Sequence, residues 1–328
     1  MIIGLLQKAG EARNTNIEAE GLEKIQLAVM ASRDENGIDT ASLAKNLSEI
    51  SGLTDTDNNS IREDTNITLP TVIILNNTQY KIKEEGNVEK IECVKNGYLK
   101  NGLILYLDGV DNTRNGHSTT TTTWEDLSGN NNDFTKHESA ANTLWRDNSY
   151  VGDETNRTLI LNKAILENSS ACSIEVCYDI PKLKAYYWVF QSREVEDNAN
   201  GFQFWVNSNS RDLLLWGNNS YISFINERGT NLTNLRKRTM AIAVDNSTLV
   251  FSDNGEIYNK DSNEGIIQSL MPRDYYAIGS ALPWKTETQW AKYWFNGNIY
   301  SIRVYNRKLS EEELRNNYEI DRVRFNMD

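Results

Sequence analysis

Aromatic and amide side chains gather in two stretches of this sequence. The segment from Ala281 to Trp294 holds Trp284, Trp290, Tyr293 and Trp294 without a strand or helix period. A second cluster combines Trp216 with Asn218, Asn219 and Tyr221. An exposed ring stacks on the apolar face of a sugar while neighbouring amides and carboxylates take its hydroxyls, so these residues form a candidate carbohydrate site. The competing reading, in which the rings cover open ends of the fold, stays open. Trp124 and Trp205 sit among strand-like residues and are expected in the core.

Oxygen donors form a third group. Asp108, Asp111 and Asn112 follow an apolar run, and Asp126 lies on the same long connection. Hard cations take carboxylate and carbonyl oxygens from irregular loops, which makes these four a candidate calcium site. Asp and Asn also shape turns through local hydrogen bonds, and the spacing alone does not separate the two roles.

The remaining catalytic chemistries find little material. The chain has two histidines, His117 and His137. It has no Gly-x-Ser-x-Gly elbow and no His/Cys cluster at zinc spacing. Glu175 with Asp179, and Glu194 with Glu196, are the nearest approaches to a carboxylate pair, and both are expected on solvent-facing strands or rims. No enzyme is expected.

The elements that must carry these residues divide the 328-residue chain. A hydrophobic share of 39% and a charged share of 24% suit a packed core. A net charge of -12 disfavours a nucleic-acid surface, which needs clustered Lys and Arg. No apolar run reaches the roughly 18 residues that a membrane helix needs.

Residues 1–97 read as a small α+β domain. Leu22, Ile25 and Val29 repeat at helical spacing, which predicts a helix from about Asn14 to Arg33. A shorter helix fits Leu43, Leu47 and Ile50, capped by Asp39 or Thr40. Ser51 to Thr68 reads as loop. Strands are predicted at Thr71–Leu75, Gln79–Lys83 and Val88–Glu92, forming a three-stranded antiparallel meander.

Residues 98–328 read as mainly β, with about ten short antiparallel strands that imply a two-sheet sandwich. In Cys172–Ile180, alternation places Cys172 with Ile174, Val176 and Tyr178 and sets Cys177 beside Glu175 on the opposite face, so these two cysteines are expected as packed free thiols. Asn254-Gly255 signals a hairpin. Tyr300, Ile302 and Val304 alternate as one strand face. Ser310 with Glu313 forms a capping box, and Leu309 with Leu314 a hydrophobic staple, so a helix starts at that point.

Two end motifs carry a resemblance. Leu105 to Thr113, Gly116-His117 with its Thr run, and Trp124 to Asn130 resemble the opening of concanavalin A-like, laminin G-like domains, and Phe295 to Leu314 looks like their closing strand and short helix. The resemblance implies a jelly roll whose last strand returns beside its first, with a rim that often holds calcium. It also raises glycoside hydrolysis, because glucanases of that fold place Glu-x-Asp-x-Glu on one strand; neither carboxylate group here has the full set. Ile2 to Arg13, followed by Glu23 to Met30, resembles the segment after the membrane helix of pilin-like proteins of Firmicutes; the family's basic leader and apolar helix do not precede it in this sequence.

Together these readings give an extracellular, cell-surface or pilus-associated adhesin. Its jelly roll is expected to bind a glycan or surface glycoprotein, with calcium as a candidate cofactor and other pilin-like subunits as candidate partners. A structural subunit of a filament or phage particle is the alternative, and a glycoside hydrolase the third.

Overall fold

The computed structural model describes residues 17, 19–55, 59–75, 78–91, 97–142, 145–146, 148–166, 169–180, 187–192, 201–206, 211–217, 220–223, 237–261, 275–280 and 294–327. The chain divides into two compact units, Met1–Leu99 and Lys100–Asp328.

In the first unit helix α1 covers 19–31. A hairpin follows from β1 (Arg33–Asp34) and β2 (Gly37–Ile38), then α2 (Thr40–Ser48). Asp39 caps α2, its side chain accepting the Ala41 N–H at 3.1 Å. The sheet has four strands in the order β3 (Leu53–Thr54), β4 (Thr71–Leu75), β5 (Thr78–Ile82) and β6 (Val88–Ile91), one more than the three predicted. The added strand lies in the stretch read as loop, because a two-residue strand is too short to show alternation. Ile25 and Val29 of α1, Leu43 and Leu47 of α2, and Ile73, Leu75, Tyr80 and Ile82 of the sheet share one core.

The second unit is a sandwich of two antiparallel eight-stranded sheets. Its strands are β7 (Leu103–Asp108), β8 (Thr123–Trp124), β9 (Phe134–Lys136), β10 (Trp145–Arg146), β11 (Ser149–Asp153), β12 (Leu159–Leu161) and β13 (Cys172–Asp179). They continue with β14 (Tyr187–Gln191), β15 (Gly201–Val206), β16 (Arg211–Gly217), β17 (Ser220–Ser223), β18 (Arg238–Val244) and β19 (Thr248–Asp253). The last are β20 (Glu256–Asp261), β21 (Tyr276–Ile278) and β22 (Asn296–Tyr305), followed by α3 (Glu311–Arg324). One sheet runs β10-β11-β22-β13-β18-β19-β20, with β7 also on β22; the other runs β17-β16-β15-β14-β21-β12-β9-β8. Leu107, Ile174, Ile242, Ile302 and Val304 from the first sheet meet Trp124, Phe134, Val189, Phe190, Phe204 and Ile278 from the second in a single core.

Strand β22 organises its sheet. It pairs with β13 along one edge; on the other, β11 takes its first half and β7 its second, so the closing strand lies beside the opening one as the family resemblance implied. Tyr300 departs from the predicted face. The register with β13 passes from Cys177–Ser301 to Tyr178–Ile299, so β22 carries one extra residue. This bulge turns Tyr300 away from the core of Ile302 and Val304 and packs it with Cys177, Phe325 and Met327. The Asn254-Gly255 turn has positive φ at both residues, 50° and 75°, the geometry that closes a two-residue hairpin on twisted strands.

Helix α3 lies over the outer face of β22. Ser310 accepts the Glu313 N–H at 3.2 Å and Glu313 accepts the Ser310 N–H at 2.8 Å, completing the predicted capping box. Leu309 and Leu314 are both buried. Beneath the helix Arg303 is fully buried, with Nε 2.8 Å from Glu175 and its two terminal nitrogens 2.8 and 2.7 Å from the Asp321 carboxylate. Asn317 donates to Glu175 at 2.8 Å, and Thr239 donates to Asp321 at 2.8 Å. Glu175 therefore lies under a helix, where the sequence reading expected solvent. The Arg303→Ala variant leaves two buried carboxylates without their cation. It should lose roughly 3–5 kcal/mol of stability, read as a fall in the urea midpoint.

Candidate functional site

The connection after β7 is built by side chains that accept backbone hydrogen bonds. Asp126 accepts the N–H groups of Tyr106 at 2.9 Å, Ser128 at 2.9 Å and Asn132 at 3.0 Å, together with the Ser128 hydroxyl at 2.8 Å. Asp111 takes the Gly116 N–H at 2.7 Å, and Asn112 takes the Ser118 N–H at 2.8 Å and donates to the Ser118 carbonyl. Asp108 accepts from the Val110 N–H, the Tyr106 hydroxyl and the Arg324 guanidinium. His117 meets the Gly109 carbonyl through Nδ1 at 2.7 Å and stands edge-on to Trp145.

The four candidate calcium ligands do not fit a cation as placed. Asp126 is saturated by four donors, and Asp108 already faces the positive charge of Arg324. Among the described residues no group of three or more His, Cys, Asp or Glu is positioned to hold a metal ion. The turn-shaping role that the residue types also allowed accounts for the bonds of each side chain. The expected outcome is one melting temperature in millimolar calcium and in EDTA. Asp126→Ala should cost roughly 2–4 kcal/mol in both, through orphaned buried N–H groups.

Of the carboxylates considered for sugar hydrolysis, Glu175 and Asp179 lie on β13. Glu175 is sequestered beneath α3, while Glu194 and Glu196 lie outside the described residues. Asp179 accepts from Asn298 at 2.7 Å and the Tyr300 hydroxyl at 2.6 Å. Burial outweighs the neighbouring Arg303 and raises the Glu175 carboxyl above its ordinary range. A raised folded-state value means stability that is complete below the unfolded pKa of about 4.3 and declines as pH climbs toward the folded value. Glu175→Gln mimics the protonated form. Urea midpoints from pH 5 to 8 should therefore shift in favour of the variant as pH rises. Cys172 and Cys177 are buried free thiols, and burial pushes the Cys172 thiol up to about 12.

Of the aromatic candidates, Trp216 and Tyr221 are opposed by Cα in the β16–β17 register. Asn218, Trp284, Trp290 and Tyr293 lie outside the described residues. The two roots of the aromatic-rich stretch are defined. The Phe295 N–H donates to the Gly279 carbonyl at 2.9 Å, and the Gly279 N–H donates to Val189 of β14 at 3.1 Å. Gly279 has φ 83° and the Tyr150 hydroxyl sits where a Cβ would be, so only glycine fits there. Trp294, the last residue of the stretch, is half-buried beside this root. The adjoining corner after β11 was not anticipated from sequence. Glu154 is exposed, and its Oε1 accepts from the Tyr187 hydroxyl at 3.0 Å and from Asn296 Nδ2 at 2.8 Å.

No protein-family model matches the chain, and no curated protein matches it. Among solved structures, a Trypanosoma rangeli sialidase in complex with 2-keto-3-deoxy-D-glycero-D-galacto-2,3-difluoro-nononic acid is similar over 68% of this chain and 33% of its own, at 16% identity and TM-score 0.50. The binding domain of botulinum neurotoxin DC, in complex with rat synaptotagmin II, is similar over 67% of this chain and 52% of its own, at 16% identity and TM-score 0.49. A botulinum neurotoxin serotype D ligand binding domain in complex with N-acetylneuraminic acid has 16% identity and TM-score 0.46, over 67% of this chain and 51% of its own. The chain thus spans about a third of the sialidase and about half of each toxin domain. The sialidase likeness places the second unit in the class of β-sandwich, jelly-roll-like folds.

Proposed function

We propose that the second unit is a carbohydrate-binding module of an extracellular adhesin, recognising a glycan or surface glycoprotein without cleaving it. One observation carries the reading: the aromatic-rich stretch between β21 and β22 leaves and re-enters the sandwich through one pinned point, the Phe295 N–H to Gly279 carbonyl bond. A segment closed at its root on two interior strands is the arrangement by which binding residues are displayed on an otherwise stable scaffold. Trp284, Trp290 and Tyr293 supply stacking rings from this segment, and Trp216 and Tyr221 supply a second pair. The sialidase of similar fold was solved with a sugar acid bound. The binding reading is also supported by the burial of Glu175, one of the carboxylates weighed for hydrolysis. The N-terminal unit serves as the spacer or pilin-like part that holds the module at the cell surface.

The full chain applied to a glycan array should bind a restricted set of glycans. Trp284→Ala or Trp290→Ala should weaken that binding at least tenfold at an unchanged melting temperature. A blank array removes the proposal and favours a structural role in a filament or particle.

A further inference from the structure

The hydrogen bonds of Glu175 fall on one of its two oxygens. Oε2 accepts from Arg303 Nε at 2.8 Å and from Asn317 Nδ2 at 2.8 Å, while Oε1 is buried and meets no donor among the described residues. Asn317 shows the matching shortage. Its Nδ2 donates to Glu175 and, at 3.1 Å, to the Tyr305 hydroxyl oxygen, but its buried Oδ1 meets no donor among the described residues. Both residues are at most 1% exposed, so each orphaned oxygen carries the cost of its lost hydration. An ionised carboxylate accepts on both oxygens, whereas a carboxylic acid accepts on one and donates from the other. The bonds around Glu175 have the pattern of the acid.

The charges packed around this point agree. Strand β22 supplies the Arg303 cation, and α3 supplies Asp321 to compete for it. Asp321 takes both terminal nitrogens of the guanidinium, at 2.8 and 2.7 Å, and also the Thr239 hydroxyl from β18. Asp321 is therefore the counter-ion, and a second buried negative charge on Glu175 is the costly one. Burial keeps Cys177 on β13 and Tyr305 on β22 in their neutral forms. On β7, Tyr106 is the register partner of Arg303 and donates its hydroxyl to Asp108. The remaining cations near α3 are engaged elsewhere, Lys237 with the Phe325 carbonyl and Arg324 with Asp108. Burial, the largest influence on Glu175, raises its carboxyl above the ordinary range, in keeping with this geometry.

We infer that Glu175 is a carboxylic acid in the folded chain, its proton carried on Oε1 and donated to Asn317 Oδ1, and that this proton latches α3 onto β13 and β22. One proton then satisfies both orphaned oxygens and closes a two-bond acid–amide pair, Nδ2–H to Oε2 and Oε1–H to Oδ1. The latch is closed at low pH. It opens as pH rises through the folded value, because the ionised group sets a second buried negative charge near Asp321 and leaves the Asn317 carbonyl beside an anion. Arg324, in the last turn of α3, holds Asp108 at the start of the connection after β7, so the opening reaches that connection too.

The test follows the full chain and Glu175→Gln by infrared spectroscopy and by hydrogen exchange corrected for its intrinsic pH dependence. At pH 7 the parent should show a protonated-carboxyl C=O band that the variant lacks. As pH is raised the band should fade, and over the same interval the amides of α3 and β22 should lose about tenfold in protection. A glutamine at position 175 donates from Nε2 to Asn317 at every pH, so the variant should keep its protection throughout. A parent without the band overturns the proton assignment. A band that fades while protection holds, or that persists beyond about pH 10, overturns the latch. So does a Glu175→Gln chain that loses protection in step with the parent, or that is less stable than the parent at pH 8.

Discussion

Arg303 is the constraint on which the sandwich depends. A guanidinium at 0% exposure is costly to desolvate, and it is tolerated because Glu175 and Asp321 flank it within hydrogen-bond distance. Two carboxylates around one cation leave an excess negative charge, which burial resolves by raising the Glu175 carboxyl. Strand β22 supplies Arg303, β13 supplies Glu175, and α3 supplies Asp321 and Asn317. Arg303 and Glu175 meet within the sheet, but the Asp321 and Asn317 bonds to them form only when sheet and helix have met. The first sheet and the C-terminal helix therefore stand or fall as one cooperative layer.

The connection after β7 inherits its order from that layer. Arg324 in the last turn of α3 reaches Asp108 and the Tyr106 hydroxyl, a favourable place for a cation at a helix C-terminus. From Asp108 the chain enters turns closed by Asp111, Asn112 and Asp126, and Trp124 ties them back through its indole N–H to the Asp108 carbonyl at 3.0 Å. Residue types that suit calcium are here consumed in holding backbone. The same oxygen cannot both saturate N–H donors and turn toward a cation, so the local hydrogen-bond inventory distinguishes the two roles where spacing does not.

Alternation made β13 legible, since Cys172, Ile174, Val176 and Tyr178 all enter the core. The capping box and staple made the start of α3 legible, because each acts within five residues of chain. The bulge at Tyr300 was not legible: one inserted residue changes a face without changing composition. Strands β8 and β10, of two residues each, are too short to show alternation. Glu175 was placed in solvent on the rule that acidic residues face out. The available counter-signal was across the sheet, where Glu175 is the direct register partner of Arg303. The face of α3 that covers them is itself partly polar, with Leu314, Asn317 and Asp321 buried, so a hydrophobic pattern underreports it.

The corner at Glu154 shows why contacts between distant segments are harder to read than a fold. Its hydrogen-bond partners lie 33 and 142 residues away in sequence, and Glu154 itself carries no local mark of a left-handed turn. Aromatic content did flag the stretch up to Trp294, because composition is read along the chain. What composition lacks is the pinned root between Gly279 and Phe295, set by sheet register and by the close approach of Tyr150. Secondary structure is written in periods of two and 3.6 residues. A corner assembled from the ends of β11, β14 and β22 has no period. It exists only as a consequence of which strands pair, and that pairing in turn needs the layer closed by Arg303.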